Sequence, residues 1–316
     1  MRTLVTGGAG FIGSNLVDLL LLNNHEVTVI DNESSDAHDN FYWNPFANNN
    51  KLDICDYKNT RELYDGIDAV FHVAAEARIQ PCIVNPLKAV RSNVVGTCTV
   101  LQCAREAGVG KVIYSSTSSA YGLANTPPLK EDMPTDCLNP YSVTKVAGEE
   151  LCKMYYKLFG LKTIIFRYFN VYGERQPLKG QYAPVVGIFL RQKRNGEAMT
   201  IVGDGNQRRD FTHVSDVVSA NLKALDVNGN VYYKSSDIAY RTWSLGGVLN
   251  VGTGINHSVN EIAKMIGGSI CFIPPRLGES SVTLADISTT RQVLNWEPKV
   301  LLNQWIENNK CINYNT

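Results

Sequence analysis

Long apolar runs are missing from this chain of 316 residues. The most apolar early stretch, 16–22, is interrupted by Asp18 and falls far short of the ~20 residues that span a bilayer. Charge of one sign is missing too. Lys and Arg total 30 and Asp and Glu total 30, so nothing signals a basic face for nucleic acid. No basic segment leads into an apolar one at the start, where strand-like residues begin at Arg2, so no leader or membrane anchor is expected. The eight cysteines contain no Cys-x-x-Cys pair, and no histidine stands at zinc-ligand spacing from a cysteine pair, so no metal is expected. Most of them fall in apolar or helical patterns. They read as reduced thiols of a cytoplasmic protein rather than as a disulfide framework. Repeats and low-complexity tracts are absent as well.

What remains is an ordinary globular composition, 44% hydrophobic and 19% charged. The length suits about two domains. In the first half, β-branched runs at 3–6, 27–31, 69–73, 111–115 and 163–167 alternate with helical patterns at 11–23, 60–63, 86–107 and 141–159. That alternation predicts βαβ units, and so an α/β fold with a doubly wound parallel sheet of the Rossmann type. The second half is choppier, with strand candidates at 200–202, 249–251 and 269–273 and a helix at 259–265. It predicts a smaller mixed lobe. The expected division is a dinucleotide domain over 1–168, with part of 211–245 returning to it, and a lobe made of 169–210 and 246–316. The polar, glycine-spotted stretch 227–247 reads as a surface loop or insertion.

Gly7, Gly10 and Gly13 follow the first strand and, with Phe11 and Ile12, open the first helix. Such spacing permits a tight turn and lets a pyrophosphate approach backbone N–H groups at a helix N-terminus. The second strand ends in Asp31, followed by Asn32 with no arginine behind it. A carboxylate there accepts from both adenosine ribose hydroxyls and repels a 2′-phosphate, so NAD is expected rather than NADP. Asp53 and Ile54 close another strand-like run. Asp53 either faces an adenine or caps a surface loop.

Tyr141 and Lys145 stand at i, i+4 on one helical face behind Pro140. A phenol ionises near pH 10, and an adjacent ammonium or nicotinamide cation favours its phenolate. The pair can remove a hydroxyl proton while hydride leaves the same carbon. Upstream, Ser115, Ser116, Thr117, Ser118 and Ser119 end the fourth strand, at the sheet edge where α/β ligands bind. A hydroxyl there relays a proton and holds a sugar oxygen, or else caps a turn.

With these motifs, Asn139-Pro140-Tyr141, Arg167-Tyr168-Phe169-Asn170-Val171-Tyr172-Gly173, Gly203-Asp204-Gly205 and Arg209-Asp210-Phe211, the chain resembles the extended short-chain dehydrogenase/reductase family. Within it, the sequence is most similar to nucleotide-sugar 4-epimerases of the UDP-glucose and UDP-N-acetylglucosamine type. The resemblance runs from Met1 to about Glu297. It implies Thr117 as the catalytic hydroxyl, Tyr141 as base, and Lys145 as its partner and ribose contact. It implies Val73, Ala74, Ala75, Ser115 and Tyr168 along the cofactor, with His72 structural or cofactor-lining. On the substrate side it implies Asn170, a diphosphate clamp of Arg209 and Arg276, and Glu279 on the uridine ribose. Arg209 can instead pair with Asp210, and Arg276 can be a solvated surface charge. The cofactor implied is NAD and the partner a UDP-sugar. A homodimer through the helices at 86–107 and 141–159 is also implied, unless their extra apolar residues only cover the sheet.

Relatives of the same kind that dehydrate carry Thr-Asp-Glu at the catalytic strand end, and those that decarboxylate carry Glu two residues after the Thr. Thr117 is followed by Ser118 and Ser119, with no carboxylate. Reversible oxidation at C4 with no net redox is what remains, and the cofactor can stay bound. A keto-sugar reductase and a catalytically silent NAD sensor are the rival readings; the intact Thr-Tyr-Lys set argues against the sensor. In the resembling epimerases the position seven residues beyond Arg276 borders the sugar's 2-substituent. Here it is Thr283, small enough to admit an acetamido group, unless it faces solvent.

Overall fold

A computed structural model describes residues 1–36, 38, 40–178, 183–234, 240–275 and 280–310. Chain order runs β1 (Arg2–Thr6), α1 (Phe11–Leu22), β2 (Glu26–Asp31), β3 (Asn48–Lys51), α2 (Tyr57–Thr60), β4 (Ala69–His72), α3 (Ile79–Val84), α4 (Pro86–Val90), α5 (Gly96–Glu106), β5 (Lys111–Thr117), α6 (Pro140–Phe159) and β6 (Lys162–Tyr168). It continues with β7 (Val171–Tyr172), α7 (Val185–Arg194), β8 (Met199–Val202), β9 (Arg208–Asp210), β10 (Thr212–His213), α8 (Val214–Lys223), β11 (Val231–Lys234), β12 (Tyr240–Trp243), β13 (Val248–Val251), β14 (Asn256–Ser258), α9 (Val259–Ile266), β15 (Ile270–Ile273), α10 (Ser288–Leu294) and α11 (Leu302–Asn309).

Seven strands form one parallel sheet in the order β13-β6-β5-β4-β1-β2-β3. β4 and β5 are buried from end to end, which is why Val70 and Phe71, and Val112, Ile113 and Tyr114, stand in consecutive apolar runs rather than alternating ones. One face packs on α1 and α8 through Leu16, Leu20, Val217 and Ile164. The other packs on α5 and α6 through Leu101, Cys152, Val112 and Ile165. The order reverses between β1 and β4, and that switch point opens the crevice at the strands' C-terminal ends.

α6 starts where Asn139 accepts from the Ser142 N–H while the Ser142 hydroxyl meets the Asn139 backbone, with Pro140 in the first turn. It stops at Gly160 in the left-handed conformation. α4 continues into α5 through a π-turn at Arg91–Val95, so the helical pattern read over 86–107 is one rod with a local widening. The smaller lobe has its own core, in which Phe189, Met199, Ile201, Ile262 and Trp305 are buried together.

Two features differ from the sequence reading. The stretch 227–247 is not a plain loop. β11 and β12 pair antiparallel within it, and Trp243 plugs into the sheet's core. Its outward Tyr232 and Tyr240 are exposed, so it carries no strong apolar period. And β13, within the segment expected in the lobe, pairs parallel with β6 in the main sheet.

Candidate active site

One cavity of about 1020 Å³ runs along the C-terminal edge of the sheet, from the β1–α1 turn into the lobe. That exceeds what a single small ligand fills and suits a dinucleotide beside a second nucleotide. At one end lie Gly7, Gly10, Phe11, Ile12 and Gly13. Gly7 has φ +71°, and a Cβ on it would stand 2.7 Å from the Ala74 nitrogen. A Cβ on Gly13 would stand 2.0 Å from the Gly7 carbonyl. Only glycine holds this turn tight against the helix N-terminus, whose N–H groups can then receive a pyrophosphate. The residues fit the adenosine and diphosphate half of NAD.

Asp31 is buried on the same wall. Its carboxylate accepts from the Ala9 and Glu33 N–H groups at 3.1 and 2.8 Å, and burial nonetheless pushes its pKa up. Asn32 lies beside it. Asp53 serves both readings at once. It lines the cavity with Ile54, and it also caps the Cys55 N–H at 2.8 Å and pairs with Arg91 at 3.2 Å. Val73, Ala74, Ala75 and Tyr168 complete the floor. Ser115 is one layer down, its hydroxyl 3.0 Å from that of Tyr168.

Thr117 and Tyr141 meet at the middle of the cavity. Burial pushes the Tyr141 phenol up to about 12, against a hydrogen bond from the Thr117 hydroxyl and the positive charge of Arg78. Lys145 is on the same helical face, as the spacing requires, but below the cavity wall. Its ammonium lies 4.2 Å from the centre of the Tyr114 ring, and burial pushes it down to about 7. His72 is sealed between Thr6 and Thr97 at 2.7 and 2.9 Å and pushed down to about 3, a neutral structural ring.

Beneath the hydroxyl run, Ser116 donates to Glu149 at 2.6 Å. Arg167 grips the same carboxylate through Nε and Nη2 at 2.9 and 2.7 Å, all buried. No sequence motif announced this pair, because its partners sit 18 residues apart on different elements. Arg78 on the cavity wall was likewise not singled out; the segment between β4 and the helical pattern at 86–107 has no period that would mark it.

The far end belongs to the lobe. Asn170, at φ +20°, donates to the Asp210 carbonyl at 3.1 Å and to the Thr283 hydroxyl at 3.4 Å. Thr283 is buried on the cavity wall rather than facing solvent. The Asp210 carboxylate is occupied by Thr253, Gly254 and Ala285 donors at 2.7–3.1 Å. Arg209 lines the cavity and donates to the Arg208 and Ser281 carbonyls at 3.0 and 3.1 Å. Arg276 and Glu279 lie outside the described residues.

A doubly wound sheet whose glycine turn, acidic second-strand end and buried Thr–Tyr pair share one cavity defines a nicotinamide-dependent enzyme of the short-chain dehydrogenase/reductase class. Residues 3–235 match the NAD dependent epimerase/dehydratase family, and the chain belongs to it. The chain is 38% identical to the UDP-glucose 4-epimerase of Mycolicibacterium smegmatis, over 97% of this chain and 96% of that one. The solved UDP-glucose 4-epimerase of Thermotoga maritima with UDP-glucose superposes with a TM-score of 0.88, at 33% identity over 98% and 97% of the two chains. The UDP-N-acetylglucosamine 4-epimerase of Methanobrevibacter ruminantium, in complex with UDP-N-acetylmuramic acid, superposes with a TM-score of 0.87, at 30% identity over 98% and 96%.

Proposed function

We propose that the protein interconverts UDP-hexoses epimeric at C4, using NAD that stays bound. The observation that carries this reading is the single cavity that joins the glycine turn, the Thr117–Tyr141 pair and the lobe's Asn170 and Arg209. It has room for a dinucleotide and a nucleotide sugar with their reacting ends together. NAD supplies the acceptor for hydride from C4 and gives that hydride back. Tyr141 takes the O4 proton and returns it, and Thr117 holds O4 in line. Asn170, Arg209 and Arg276 hold the diphosphate, where guanidinium forks suit a dianion. Glu279 holds the uridine ribose. Lys145, on the same helical face as Tyr141, would be the contact to the cofactor's ribose.

Buried Thr283 leaves space beside the sugar's 2-substituent, so both UDP-N-acetylglucosamine and UDP-glucose are substrates. The protein acts as a homodimer in the cytoplasm. Val90, Val95, Val143 and Leu158 are exposed on the helices expected at the dimer face, while Val100 and Leu101 are buried against the sheet. The seven described cysteines are all free. The test is turnover of UDP-glucose, UDP-galactose and both UDP-N-acetylhexosamines by purified protein with no added cofactor. Epimers formed by protein carrying one NAD per chain support the reading. Activity only with added NAD(P)H, yielding a net reduced sugar, would replace it with a reductase.

A further inference from the structure

The lobe end of the cavity is bounded by an open strand edge. β8 pairs with β15 on one side only. In that parallel register Met199 donates to the Ser269 carbonyl and Gly203 to the Ile273 carbonyl, both at 2.9 Å, so the odd-numbered positions of β8 use their backbone groups on β15. Thr200 and Val202 turn theirs to the opposite side, and both residues line the cavity. Side chains take two of these groups. The Thr200 N–H donates to Gln192 Oε1 at 3.0 Å, and the Val202 carbonyl accepts from Gln207 Nε2 at 2.9 Å. The Thr200 carbonyl and the Val202 N–H have no partner among the described residues.

Gln192 decides what a third group offers. It is buried on α7, and its amide has one orientation open to it. Oε1 faces the Thr200 N–H, so Nε2 faces the Thr200 hydroxyl, to which it donates at 3.0 Å. A hydroxyl oxygen that accepts from an amide keeps its own hydrogen for another acceptor. Among the described residues the Thr200 hydroxyl donates to none. Two residues of one strand therefore offer the cavity two donors, the Val202 N–H and the Thr200 hydroxyl, and one acceptor, the Thr200 carbonyl.

Phe189, Phe211 and Val259, buried in the same core as β8, line the cavity too. Against apolar walls a mispaired polar group is costly, so the match of donors to acceptors decides what binds. Uracil supplies that match, since O2 and O4 accept and N3–H donates. Cytosine carries an amine in place of O4 and a bare acceptor at N3. Set on the same edge, it puts donor against donor and acceptor against acceptor.

We infer that Gln192 is a positioning residue for base selection. By holding Thr200 through both its N–H and its hydroxyl, it fixes an edge of two donors and one acceptor that takes uracil and rejects cytosine. The inference rests on the reading that the lobe end receives the nucleoside of a UDP-sugar, and it names what selects the base there.

Calorimetry on the NAD-loaded protein tests it without turnover, with UDP and CDP as matched probes. The parent binds UDP more tightly than CDP by about tenfold or more. Gln192→Met keeps the length of the side chain and can neither donate nor accept. The Thr200 hydroxyl is then free to turn, and the ratio falls to about threefold or less. Thr200→Val removes the hydroxyl, keeps the backbone edge and shows a fall of similar size. The double variant loses no more than either single one, because both remove the same donor. In turnover of a UDP-sugar the loss is read in KM rather than in kcat. Retained NAD and an unchanged melting midpoint identify folded variants, and where Gln192→Met does not meet them Thr200→Val alone carries the test.

Equal affinity for UDP and CDP in the parent overturns the inference. So does a ratio that survives either single substitution, or effects of the two that multiply in the double variant. A fall in UDP and CDP affinity by the same factor in Gln192→Met overturns it as well, since Gln192 would then only brace the strand. Epimers formed with no preference for uracil sink this inference alone. A uracil preference that depends on Gln192, without any epimer, sinks the C4 reading and leaves the base edge in place.

Discussion

At the residue scale, what spacing can carry was legible and what packing decides was not. The glycines at 7, 10 and 13 and the Tyr at 141 announce themselves because a turn and a helix face impose fixed intervals. Lys145 announces itself too, yet its ammonium rests over Tyr114 and its electrostatic neighbours are Cys152 and Glu149. Arg78, whose charge does bear on Tyr141, was silent, because only the path of the chain after β4 brings it there. Tyr141→Phe keeps the ring and removes the proton carrier. Turnover should fall by about 10²–10⁴ while the melting midpoint and retained NAD stay near the parent's; near-parental turnover in steady-state assays would strip Tyr141 of its role. Thr283→Tyr fills the space beside Asn170. It should cut activity on N-acetylated sugars relative to plain ones, and an unchanged ratio would free Thr283 of any part in selection. Asp31, buried with no arginine after it, should favour NAD over NADP by a few kcal/mol, since a phosphate facing that carboxylate is uncompensated. Equal affinities in a titration of cofactor-stripped protein would refute this.

At the scale of elements, the alternation of strand and helix predicted every strand of the buried sheet centre, because strands buried on both faces carry consecutive apolar residues between their polar ends. The hairpin β11–β12 escaped because half its side chains face water, and β13's membership of the main sheet escaped because four residues cannot say which sheet they join. The contact between α6 and β5 shows how tightly the helix that carries Tyr141 is set. A Cβ on Gly148 would stand 2.1 Å from the Tyr114 hydroxyl, which itself donates to the Lys145 carbonyl at 3.2 Å. Gly148→Ala should therefore push α6 off the sheet and cost about 1–3 kcal/mol in denaturant unfolding. In a Tyr114→Phe background the oxygen is gone but the ring carbon Cζ, 2.5 Å from that Cβ, remains, so the same substitution should cost less only in part. An equal cost in both backgrounds would show that the hydroxyl is not what Gly148 makes room for.

At the scale of the whole molecule, sheet and lobe are joined by a buried polar seam that no local pattern revealed. Tyr121 donates to Asn250 at 2.7 Å, Asn250 donates to the Leu129 and Asp286 carbonyls at 2.8 and 3.1 Å, and its N–H donates to Glu131 at 3.0 Å. Burial pushes Glu131 up to about 7 from 4.5. Between those values the folded protein keeps a proton that the unfolded chain has released, so this group's contribution is full below pH 4.5 and declines as pH rises towards 7. Unfolding free energies between pH 5 and 7 should therefore fall more steeply in the parent than in Glu131→Gln, by about 1–3 kcal/mol over the window. Parallel curves would remove Glu131 from the account. The two halves matter together because residues of both line the one cavity in which the proposed turn of the sugar would take place. A UDP-hexose deuterated at C4 measures this most directly. Incubated with the protein alone and followed by mass and NMR, the epimeric product should keep its deuterium at C4, since the same cofactor molecule takes and returns it. Epimer formed with loss of deuterium from C4, or with washout into a pool of added NAD, would contradict the account at its centre.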